Sequence, residues 1–462
     1  MKQDMETTLM EKSKSRKIDV PPGYIRTEVG VIPKDWKVLR LGSITYIRNQ
    51  KVLENQVVTE IPKIELEHIG KGNGKLLDIS AANNTNSIKY KFFNGDVLFG
   101  RLRSYLRKFW HATFNGICTT EIWPLVVDNK QAVSGFIFAI IQTEKFIKEA
   151  SISYGTHMPR ADWGILKNFK LPLAPIHEQR AIATALSDVD QLIESLDKLI
   201  AKKRAIKQAT MQQLLSGKQR LPGFKGKWET KCLGEISEIT GAGVDKKIKK
   251  EEQSVRLVNY LDVYNNNFIT SDILNHWVTA SNHKVKKCSV KKGDIFFTPS
   301  SEIQGDIGKS AVALEDIPDA AYSYHVVRVR LKEPLDIFFK TYAFKTDDFL
   351  NQAARQSEGS GTRYILNMSK FKQLTVLIPP FSEQTAIGKV LFDMDKEIQS
   401  LEQRRDKTKQ IKQGMMQELL TGKTRLNLDF EGLKDGHDSK SGDQGNHKNH
   451  NSDKRNETSR TY

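Results

Sequence analysis

A long internal repeat constrains this chain more than any other feature of its sequence. Residues Glu178–Leu221 and Glu383–Leu426 align without a gap, and 22 of the 44 aligned positions are identical. Both copies begin with Glu-Gln and end with Leu-Leu-x-Gly-Lys-x-Arg-Leu. Two copies so far apart do not make a solenoid, in which many short units stack on their neighbours. The repeat therefore predicts an internally pseudo-symmetric molecule.

Each copy of the repeat carries the pattern of a coiled-coil helix. Its apolar residues recur at alternating intervals of four and three, as on the a/d seam of a heptad repeat. The predicted seam comprises Ile182, Leu186, Val189, Ile193 and Leu196 in the first copy and Ile387, Leu391, Met394, Ile398 and Leu401 in the second. Helices of about 39 residues would each span about 58 Å. We expect them to pair antiparallel and to hold apart the segments that precede them.

Basic residues interrupt the seam near the middle of both copies. Lys202, Lys203 and Arg204 enter the first copy there, and Arg404 and Arg405 enter the second. This pattern favours a solvated helix face over a dedicated binding site. A glycine near the end of each copy, Gly217 or Gly422, is typical of the residue that follows a helix.

The two segments that precede the repeats share their borders. Each begins with Trp-x-x-x-x-Leu-Gly, from Trp36 or Trp228, contains a Gly-Asp pair before an apolar run, and ends with a Gly-Thr loop and prolines. Apolar runs over 122–127, 311–314 and 325–331 predict strands. The predicted divisions are a flexible leader (1–21), a first globular domain (22–174), a long helix (175–221), a second globular domain (222–379), a second long helix (380–426) and a disordered polar tail (427–462). The predicted fold class is α+β, with two pseudo-symmetric globular α/β domains separated by two long helices that form an antiparallel coiled coil.

Charge and composition indicate which classes of partner and which compartment suit this chain. The net charge is +17, but residues 427–462 contribute −1, so the positive charge belongs to the predicted folded segments. A distributed positive field favours a nucleic-acid partner over a membrane, although a generically basic protein would also show it. The sequence has no apolar run long enough to span a bilayer and no apolar core of a signal peptide near its first residue. Three isolated cysteines indicate a reducing compartment, and we expect a cytoplasmic protein without a disulfide or zinc site.

A search for catalytic motifs finds two incomplete matches. Ile378-Pro379-Pro380-Phe381 is similar to the N-P-P-F box of adenine N6-methyltransferases, but isoleucine replaces the asparagine that binds the target amino group. The run from Ile303 to Ser310 ends in Gly-Lys-Ser like a P-loop, yet it lacks the leading glycine. A basic turn between strands is the better interpretation of that run. We predict no catalytic residue, no metal site and no cofactor in this chain.

Cationic and aromatic side chains concentrate in loops of both globular domains. In an extended segment, the alternating residues from Arg101 to Arg107 would project to one side, where arginine can bind phosphate or guanine. Serine, glutamine and lysine occupy the corresponding place in the second domain. The shared framework with divergent loops indicates that each domain reads a different sequence. The predicted DNA-binding residues are Arg101, Arg103, Tyr105, Arg107, Lys108, Thr156, His157, Arg160, Ser300, Ser301, Gln304, Lys309, Thr362, Arg363 and Tyr364.

Taken together, these motifs closely resemble the specificity (S) subunit of type I restriction–modification systems, the HsdS family. The resemblance rests on Ile32-Pro33-x-x-Trp36, the Pro-x-x-Glu-Gln entries at Pro175 and Pro380, and the Leu-Leu-x-Gly-Lys-x-Arg-Leu exits, and it covers about residues 22–426. It implies two target-recognition domains that each read one half of a bipartite site in double-stranded DNA, and a coiled coil that sets the spacer between the halves.

The same resemblance implies the partners of the chain. The subunit itself would be non-catalytic. It would dock two adenine methyltransferase (M) subunits, which use S-adenosylmethionine, and the assembly would recruit restriction/translocase (R) subunits, which use ATP and Mg²⁺. A stand-alone sequence-specific or architectural DNA-binding protein is the main alternative, and an enzyme with its own activity is disfavoured because the catalytic motifs are absent.

Overall fold

The computed structural model describes residues 20–57, 60–152 and 158–426. The part before the first long helix, here the first domain, contains strands β1 (Tyr24–Thr27), β2 (Gly30–Pro33), β3 (Lys37–Arg40), β4 (Thr45–Ile47), β5 (Lys51–Leu53), β6 (Pro62–Ile64), β7 (Ser80–Ala81), β8 (Ile88–Phe92), β9 (Val97–Gly100), β10 (Phe109–His111), β11 (Gly116–Thr119), β12 (Ile122–Val127) and β13 (Lys170–Leu173). Its helices are α1 (Leu41–Ile44), α2 (Ser134–Ile141), α3 (Glu144–Ala150) and α4 (Trp163–Leu166).

Two long helices, α5 (Ile176–Leu215) and α12 (Phe381–Leu419), enclose the second domain in the sequence. The strands of that domain are β14 (Glu229–Cys232), β15 (Ser237–Thr240), β16 (Gln253–Val258), β17 (Phe268–Ile269), β18 (Trp277–Ala280), β19 (Ser289–Val290), β20 (Ile295–Phe297), β21 (Ser300–Ser301), β22 (Ser310–Ala313), β23 (Ile317–Tyr322), β24 (Val327–Leu331), β25 (Glu358–Ser360), β26 (Arg363–Ile365) and β27 (Thr375–Ile378). Its helices are α6 (Leu233–Ile236), α7 (Tyr260–Asn265), α8 (Asn282–Lys287), α9 (Ile337–Ala343), α10 (Asp347–Gln356) and α11 (Met368–Gln373).

The two domains have matching sheet topologies. In the first domain, one sheet has the order β10-β9-β12-β4 and the other β5-β8-β11-β6-β7. The second domain repeats this plan as β17-β22-β20-β24-β15 and β18-β16-β23-β19. The parallel pair β6–β11 in the first domain corresponds to the parallel pair β16–β23 in the second. The pseudo-symmetry therefore extends into the domains, where the sequences diverge.

All three predicted strands are present, with boundaries that differ from the prediction by at most two residues. Strand β12 covers the predicted run 122–127, and β22 begins and ends one residue before the predicted 311–314. The predicted strand from His325 was wrong at its start, because β24 begins only at Val327. A turn precedes it, in which the amide of Val326 donates to the Ser323 carbonyl (3.1 Å) and the amide of His325 to the Ser323 hydroxyl (3.3 Å).

In each domain, the strand that follows the opening tryptophan pairs with the last strand, beside the long helices. Strand β3 is antiparallel to β13, and β14 is antiparallel to β27. The Leu-Gly motif comes directly after the first strand of each pair. Its glycine packs against residues that immediately precede the domain's last strand. A Cβ on Gly42 would come within 2.7 Å of the Lys167 side chain, and one on Gly234 within 3.0 Å of Lys372. The shared motif therefore closes each domain next to the helix that leaves it.

Helices α5 and α12 form an antiparallel coiled coil, here called the rod. Ion pairs across the rod fix its direction and register: Lys207 pairs with Asp395, and the equivalent Lys412 pairs with Asp190. The seam residues Ile182, Leu186, Ile193, Leu196, Ile387, Leu391 and Ile398 are buried, whereas Val189, Met394 and Leu401 are half-buried. The basic residues at its middle lie across from carboxylates, because Lys203 pairs with Glu397 and Arg204 with Glu402.

The cores of the two domains include both helices of the rod. Ile182 and Leu186 of α5 join the core of the first domain, together with Leu419 and the following Leu420. Met211, Leu214 and Leu215 of α5 join the core of the second domain, together with Ile387 and Leu391 of α12. Full burial of one such side chain contributes about 1.5–3 kcal/mol to stability, so each domain is firmly attached to one end of the rod.

Candidate nucleic-acid interface

Each end of the rod is joined to its domain by a buried carboxylate. Glu178, at the start of α5, accepts a hydrogen bond from the Trp36 indole (3.0 Å) and from the Arg425 guanidinium (3.0 Å). Arg425 also contacts Asp35 through two hydrogen bonds of 2.8 and 2.9 Å. The hydrogen bonds that Arg425 donates to Glu178 and Asp35 raise the pKa of Arg425. The repeat's Glu and Arg, together with the domain's opening Trp, therefore form one junction.

The other end of the rod repeats this junction with equivalent residues. Glu383 accepts from the Trp228 indole and from the Arg220 guanidinium, both at 2.9 Å. The adjacent glutamines are equivalent as well: Gln179 accepts from the amide of Val133 (2.9 Å), and Gln384 accepts from the amide of Asp336 (3.0 Å). The first and last residues of the two repeat copies are alike because they make the same contacts at opposite ends of the rod.

The basic loop of the first domain is folded back rather than extended. The expectation that residues 101–107 project to one side was wrong, because Arg103 and Arg107 both adopt left-handed backbone conformations (φ 51° and 57°) around a 3₁₀ turn at Ser104–Leu106. Arg103 and Tyr105 are exposed. Arg107 turns towards the protein, where it pairs with Glu144 and donates to the Gln142 carbonyl (3.0 Å).

Two further residues of this loop also face the protein. Lys108 donates to the Leu66 carbonyl, and burial, followed by the nearby Lys71, lowers the pKa of Lys108. The guanidinium of Arg101 lies 5.2 Å from the centre of the Trp123 ring, and its Nε is buried without a hydrogen-bond partner among the described residues. Of the five predicted residues in this loop, Arg103 and Tyr105 are therefore the ones open to a ligand.

The segment before β13 returns to this loop in the first domain. The amide of Arg103 donates to the Pro159 carbonyl (2.8 Å), and the amide of Ala161 donates to the Arg101 carbonyl (2.8 Å). Arg160 thus lies beside the basic loop, where it forms a bidentate pair with Glu121 (2.8–3.0 Å). Hydrogen bonds to Glu121 raise the pKa of Arg160. Thr156 and His157, also predicted to bind DNA, lie outside the described residues.

The corresponding loops of the second domain meet in a small sheet with the order β21-β26-β25. This sheet pairs Ser300 with Ile365 and Ser301 with Tyr364. The Arg363 guanidinium donates to the hydroxyl of Ser300 (3.0 Å). Four of the predicted residues thus lie on one small sheet (Ser300, Ser301, Arg363 and Tyr364), and Thr362 lies in the turn that leads into β26. Ser300 is buried there, whereas Thr362 and Arg363 are exposed.

Gln304 and Lys309 lie in a second group next to this sheet. Gln304 donates to the Ala354 carbonyl (3.0 Å), so its amide nitrogen is engaged by the protein. Lys309 pairs with Asp306 (2.7 Å) and lies 4.2 Å from the centre of the Tyr264 ring. Burial alone would lower the pKa of Lys309, but hydrogen bonds with Asp306 and Tyr264 raise it. The P-loop-like run is a 3₁₀ turn between β21 and β22, in which Lys309 has a protein partner.

The turn between β23 and β24 places two aromatic residues near the small sheet. The Tyr324 and His325 rings lie 3.9 Å apart between centroids, and 49% of Tyr324 is exposed. Burial, followed by the nearby cations Lys246 and Arg363, lowers the pKa of His325. Sequence reasoning missed this pair because it placed His325 in a strand. The signal available was the run Ser323-Tyr324-His325, in which a serine can start a turn.

The described residues contain neither a membrane-spanning helix nor a cluster of metal-binding side chains. Across residues 20–57, 60–152 and 158–426, no helix is both long and apolar enough to cross a membrane. Over the same ranges, no group of three or more His, Cys, Asp or Glu side chains is arranged to hold a metal ion.

A known family of proteins shares the duplicated organisation of this chain. The sequence model of the type I restriction modification DNA specificity domain matches residues 33–203 and 225–413. The chain belongs to this family. Each matched range contains most of one domain and most of the long helix that follows it, so the family's repeating unit is the one that the internal repeat marks.

One curated relative from this specificity family matches most of the chain, and another matches about half of it. The chain is 26% identical to the type I restriction enzyme MjaVIII specificity subunit of Methanocaldococcus jannaschii over 430 residues, which are 86% of this chain and 95% of that one. It is 24% identical to the type I restriction enzyme EcoDI specificity subunit of Escherichia coli over 232 residues, 48% of this chain and 50% of that one.

Solved structures share the fold. A chain from a study of complex assembly and conformational transition of the type I R-M system aligns with a TM-score of 0.56 at 17% identity, covering 85% of this chain and 99% of that one. The type I restriction-modification S subunit of M. genitalium aligns with a TM-score of 0.53 at 18% identity, covering 83% and 96%. Two domains of the specificity family on an antiparallel coiled coil are therefore the architecture of this chain.

Proposed function

We propose that this chain reads a bipartite site in double-stranded DNA, with one half-site for each domain. The observation that carries the proposal is the combination of one shared framework with two different sets of surface loops. The sheets of the two domains share their strand order apart from one additional strand in each domain, and the rod junctions correspond residue by residue. Their surface loops do not: Arg103 and Tyr105 are exposed in the first domain, and Thr362 and Arg363 in the second. Identical loops would instead support a symmetric site.

The rod supports the second part of the proposal, in which it sets the spacer between the half-sites. Helix α5 has 40 residues and α12 has 39. At 1.5 Å per residue each spans about 60 Å. Both ends are fixed by buried carboxylates and by shared cores, so the distance between the domains is a property of the rod. A ruler of fixed length permits only one spacing between the two sequences.

We also propose that the chain is the non-catalytic subunit of a larger assembly. Its relatives carry the name of specificity subunits of restriction enzymes. In this proposal, two methyltransferase subunits supply adenine methylation with S-adenosylmethionine, and restriction/translocase subunits supply ATP- and Mg²⁺-dependent cleavage in the cytoplasm. The pseudo-twofold symmetry of the rod supports two equivalent positions for the methyltransferase subunits. A stand-alone DNA-binding protein remains the second candidate, favoured by the net charge of +17 alone.

Sequencing of DNA methylation in the native host tests this proposal. Deletion of the gene should remove adenine methylation from one bipartite motif, and re-expression of the chain should restore it. Affinity purification of the chain should recover a methyltransferase. Unchanged methylation after deletion, together with purification of the chain alone, would contradict the proposal and favour the stand-alone protein.

A further inference from the structure

One position near the loops of each domain is structurally equivalent but chemically different. It is the connection between the strands β11 and β12 in the first domain and between β23 and β24 in the second. In the first domain this connection contributes Glu121, and in the second it contributes Tyr324 and His325. An arginine from the segment before the domain's last strand lies beside it in both cases, namely Arg160 or Arg363.

The arginine of the first domain is neutralised by the protein. Both carboxylate oxygens of Glu121 accept hydrogen bonds from Arg160, at 2.8–3.0 Å. Bidentate pairing occupies the same two-pronged donor geometry that an arginine would use to bind phosphate or guanine. Binding of Arg160 to DNA would therefore require the loss of an existing pair, with repulsion between the Glu121 carboxylate and the DNA phosphates.

The arginine of the second domain has no such partner. Within the described part of the chain, no carboxylate pairs with Arg363, and its hydrogen bond goes to the hydroxyl of Ser300 (3.0 Å). Arg363 lies on β26, in the segment whose counterpart in the first domain brings Arg160 to Glu121. Arg363 and Lys246 are the two cations that act on His325. An arginine without an acidic partner, near a turn that carries two aromatic rings, is a surface suited to DNA.

The backbone holds the aromatic turn in place. The amide of Val244 donates to the Tyr322 carbonyl (2.8 Å), and the amide of Tyr324 donates to the Val244 carbonyl (3.3 Å). The backbones approach so closely that a Cβ on Gly243 would lie 2.2 Å from the carbonyl carbon of Ser323. Tyr324 and His325 are therefore presented by a supported turn, and their exposure does not arise from a loose loop.

We propose that Tyr324, His325 and Arg363 form the base-reading cluster of the second domain, whereas Arg160 of the first domain serves the fold. This inference rests on the proposed function. Arg363 has the geometry to bind the O6 and N7 acceptors of a guanine in the major groove, and the imidazole offers one donor or acceptor to a neighbouring base edge. The exposed Tyr324 ring supplies an apolar face for a base or a thymine methyl group.

Sequence selection with the full chain tests the inference. The chain, purified from its native host with the subunits that accompany it, is incubated with a randomised duplex library, and the bound DNA is sequenced. We expect Arg363→Ala to weaken binding on the order of tenfold and to relax the selected bases in one half-site only. Arg363→Lys keeps the charge but not the two-pronged geometry, so it should retain general affinity and lose the same base preference. Tyr324→Ala combined with His325→Ala should alter the same half-site.

Arg160→Gln is the control, because Arg160 lies in the corresponding segment of the first domain but is paired with Glu121. It should leave both selected half-sites unchanged. Circular dichroism on heating verifies that each variant is folded, and a variant that fails to fold is replaced by Tyr324→Phe with His325→Gln. If the wild-type chain selects a bipartite motif and the Arg363 and Tyr324–His325 variants select the same motif with the same affinity, the inference is overturned. If the wild-type chain selects no motif, the proposed function itself fails.

Discussion

At the scale of single residues, the buried carboxylates Glu178 and Glu383 explain why the ends of the repeat are alike. Each joins the first turn of one long helix to an arginine in the segment that follows the other helix, and to the tryptophan that opens a domain. Removing the charge leaves the arginine and indole donors with a weaker acceptor in a buried place. The helices cannot move apart without breaking these contacts, so the two junctions stabilise both the rod and the domains.

We predict that Glu178→Gln and Glu383→Gln each lower the free energy of unfolding by about 2 kcal/mol, the usual contribution of a hydrogen bond to a charged group. Glu194→Gln is the control, because Glu194 lies on the exposed side of α5 in an i,i+4 pair with Lys198 and should change stability by less than about 0.5 kcal/mol. Urea denaturation measures all three variants. Equal losses at the junctions and at Glu194 would contradict the role given to the junctions.

A second buried carboxylate makes the first domain sensitive to acid. Glu54 accepts hydrogen bonds from Lys63 (2.8 Å), Ser87 (2.6 Å) and Thr85 (2.8 Å). Burial alone would raise the pKa of Glu54, but these hydrogen bonds outweigh burial and hold that pKa well below its usual range. The unfolded chain then binds a proton at a higher pH than the folded chain, so the contribution to stability is present above about pH 4.3 and is lost as the pH falls.

We therefore predict that Glu54→Gln destabilises the protein at pH 7 and that its difference from the wild type shrinks as the pH is lowered from 6 towards 3. Thermal unfolding followed at several pH values tests this, with Glu67→Gln on the exposed surface as the matched control. A difference between Glu54→Gln and the wild type that stays constant over this pH range would show that the Glu54 charge is not the source of the stability.

Residue contacts were the hardest part of the structure to predict from the sequence. The alternating arginines suggested an exposed stretch, but Arg107 pairs with Glu144, which lies 37 positions away. Arg160 likewise pairs with Glu121 across 39 positions. Such pairs depend on which loops the fold brings together, and no local pattern encodes them. The exposed positions of Arg103 and Arg363, by contrast, agree with their loops being open to a ligand.

At the scale of elements, the rod could be predicted almost completely, because its information is local and periodic. The heptad spacing indicated a paired helix, and the structure buries seven of the ten predicted seam positions while leaving Val189, Met394 and Leu401 half-buried. Gly217 and Gly422 follow the two helix ends with left-handed conformations (φ 68° and 69°). The strands were less predictable, since short elements such as β21 and β26 form only where distant segments meet.

The ruler proposal predicts a change of spacer when the rod is lengthened. One extra heptad in each helix, placed after Lys198 and after Gln403, keeps the seam in register and adds about 10 Å at 1.5 Å per residue. That length corresponds to about three base pairs of DNA at 3.4 Å per pair. Methylation sequencing should then show unchanged half-sites separated by a longer spacer.

A heptad inserted into α5 alone is the control for this experiment. It shifts one helix against the other, so Lys207 can no longer meet Asp395 and Met211 no longer reaches the core of the second domain. We expect loss of cooperative folding in that variant. An unchanged spacer in the double insertion would contradict the proposal that the rod sets the spacer length.

At the scale of the whole molecule, the shared parts of the sequence build a frame and the unshared parts carry the recognition surfaces. Each domain begins and ends at the rod through an antiparallel strand pair, so it is a closed unit with both connections on one side. Such a unit can be exchanged without altering the rod. The sequence predicted this arrangement because the repeat copies enclose the domain, whereas the matching strand orders became evident only in the structure.

If each domain reads one half-site independently of the other, exchanging one domain should change one half-site. Residues 228–370 are replaced by the equivalent segment of another member of the specificity family, which leaves α5, α12 and the junction residues Glu178 and Glu383 in place. Methylation sequencing of a host that carries this chain and its native partner subunits then reads both half-sites at once. The account predicts that one half-site changes while the other half-site and the spacer persist. Altered bases in both half-sites, or methylation of the original motif, would contradict it.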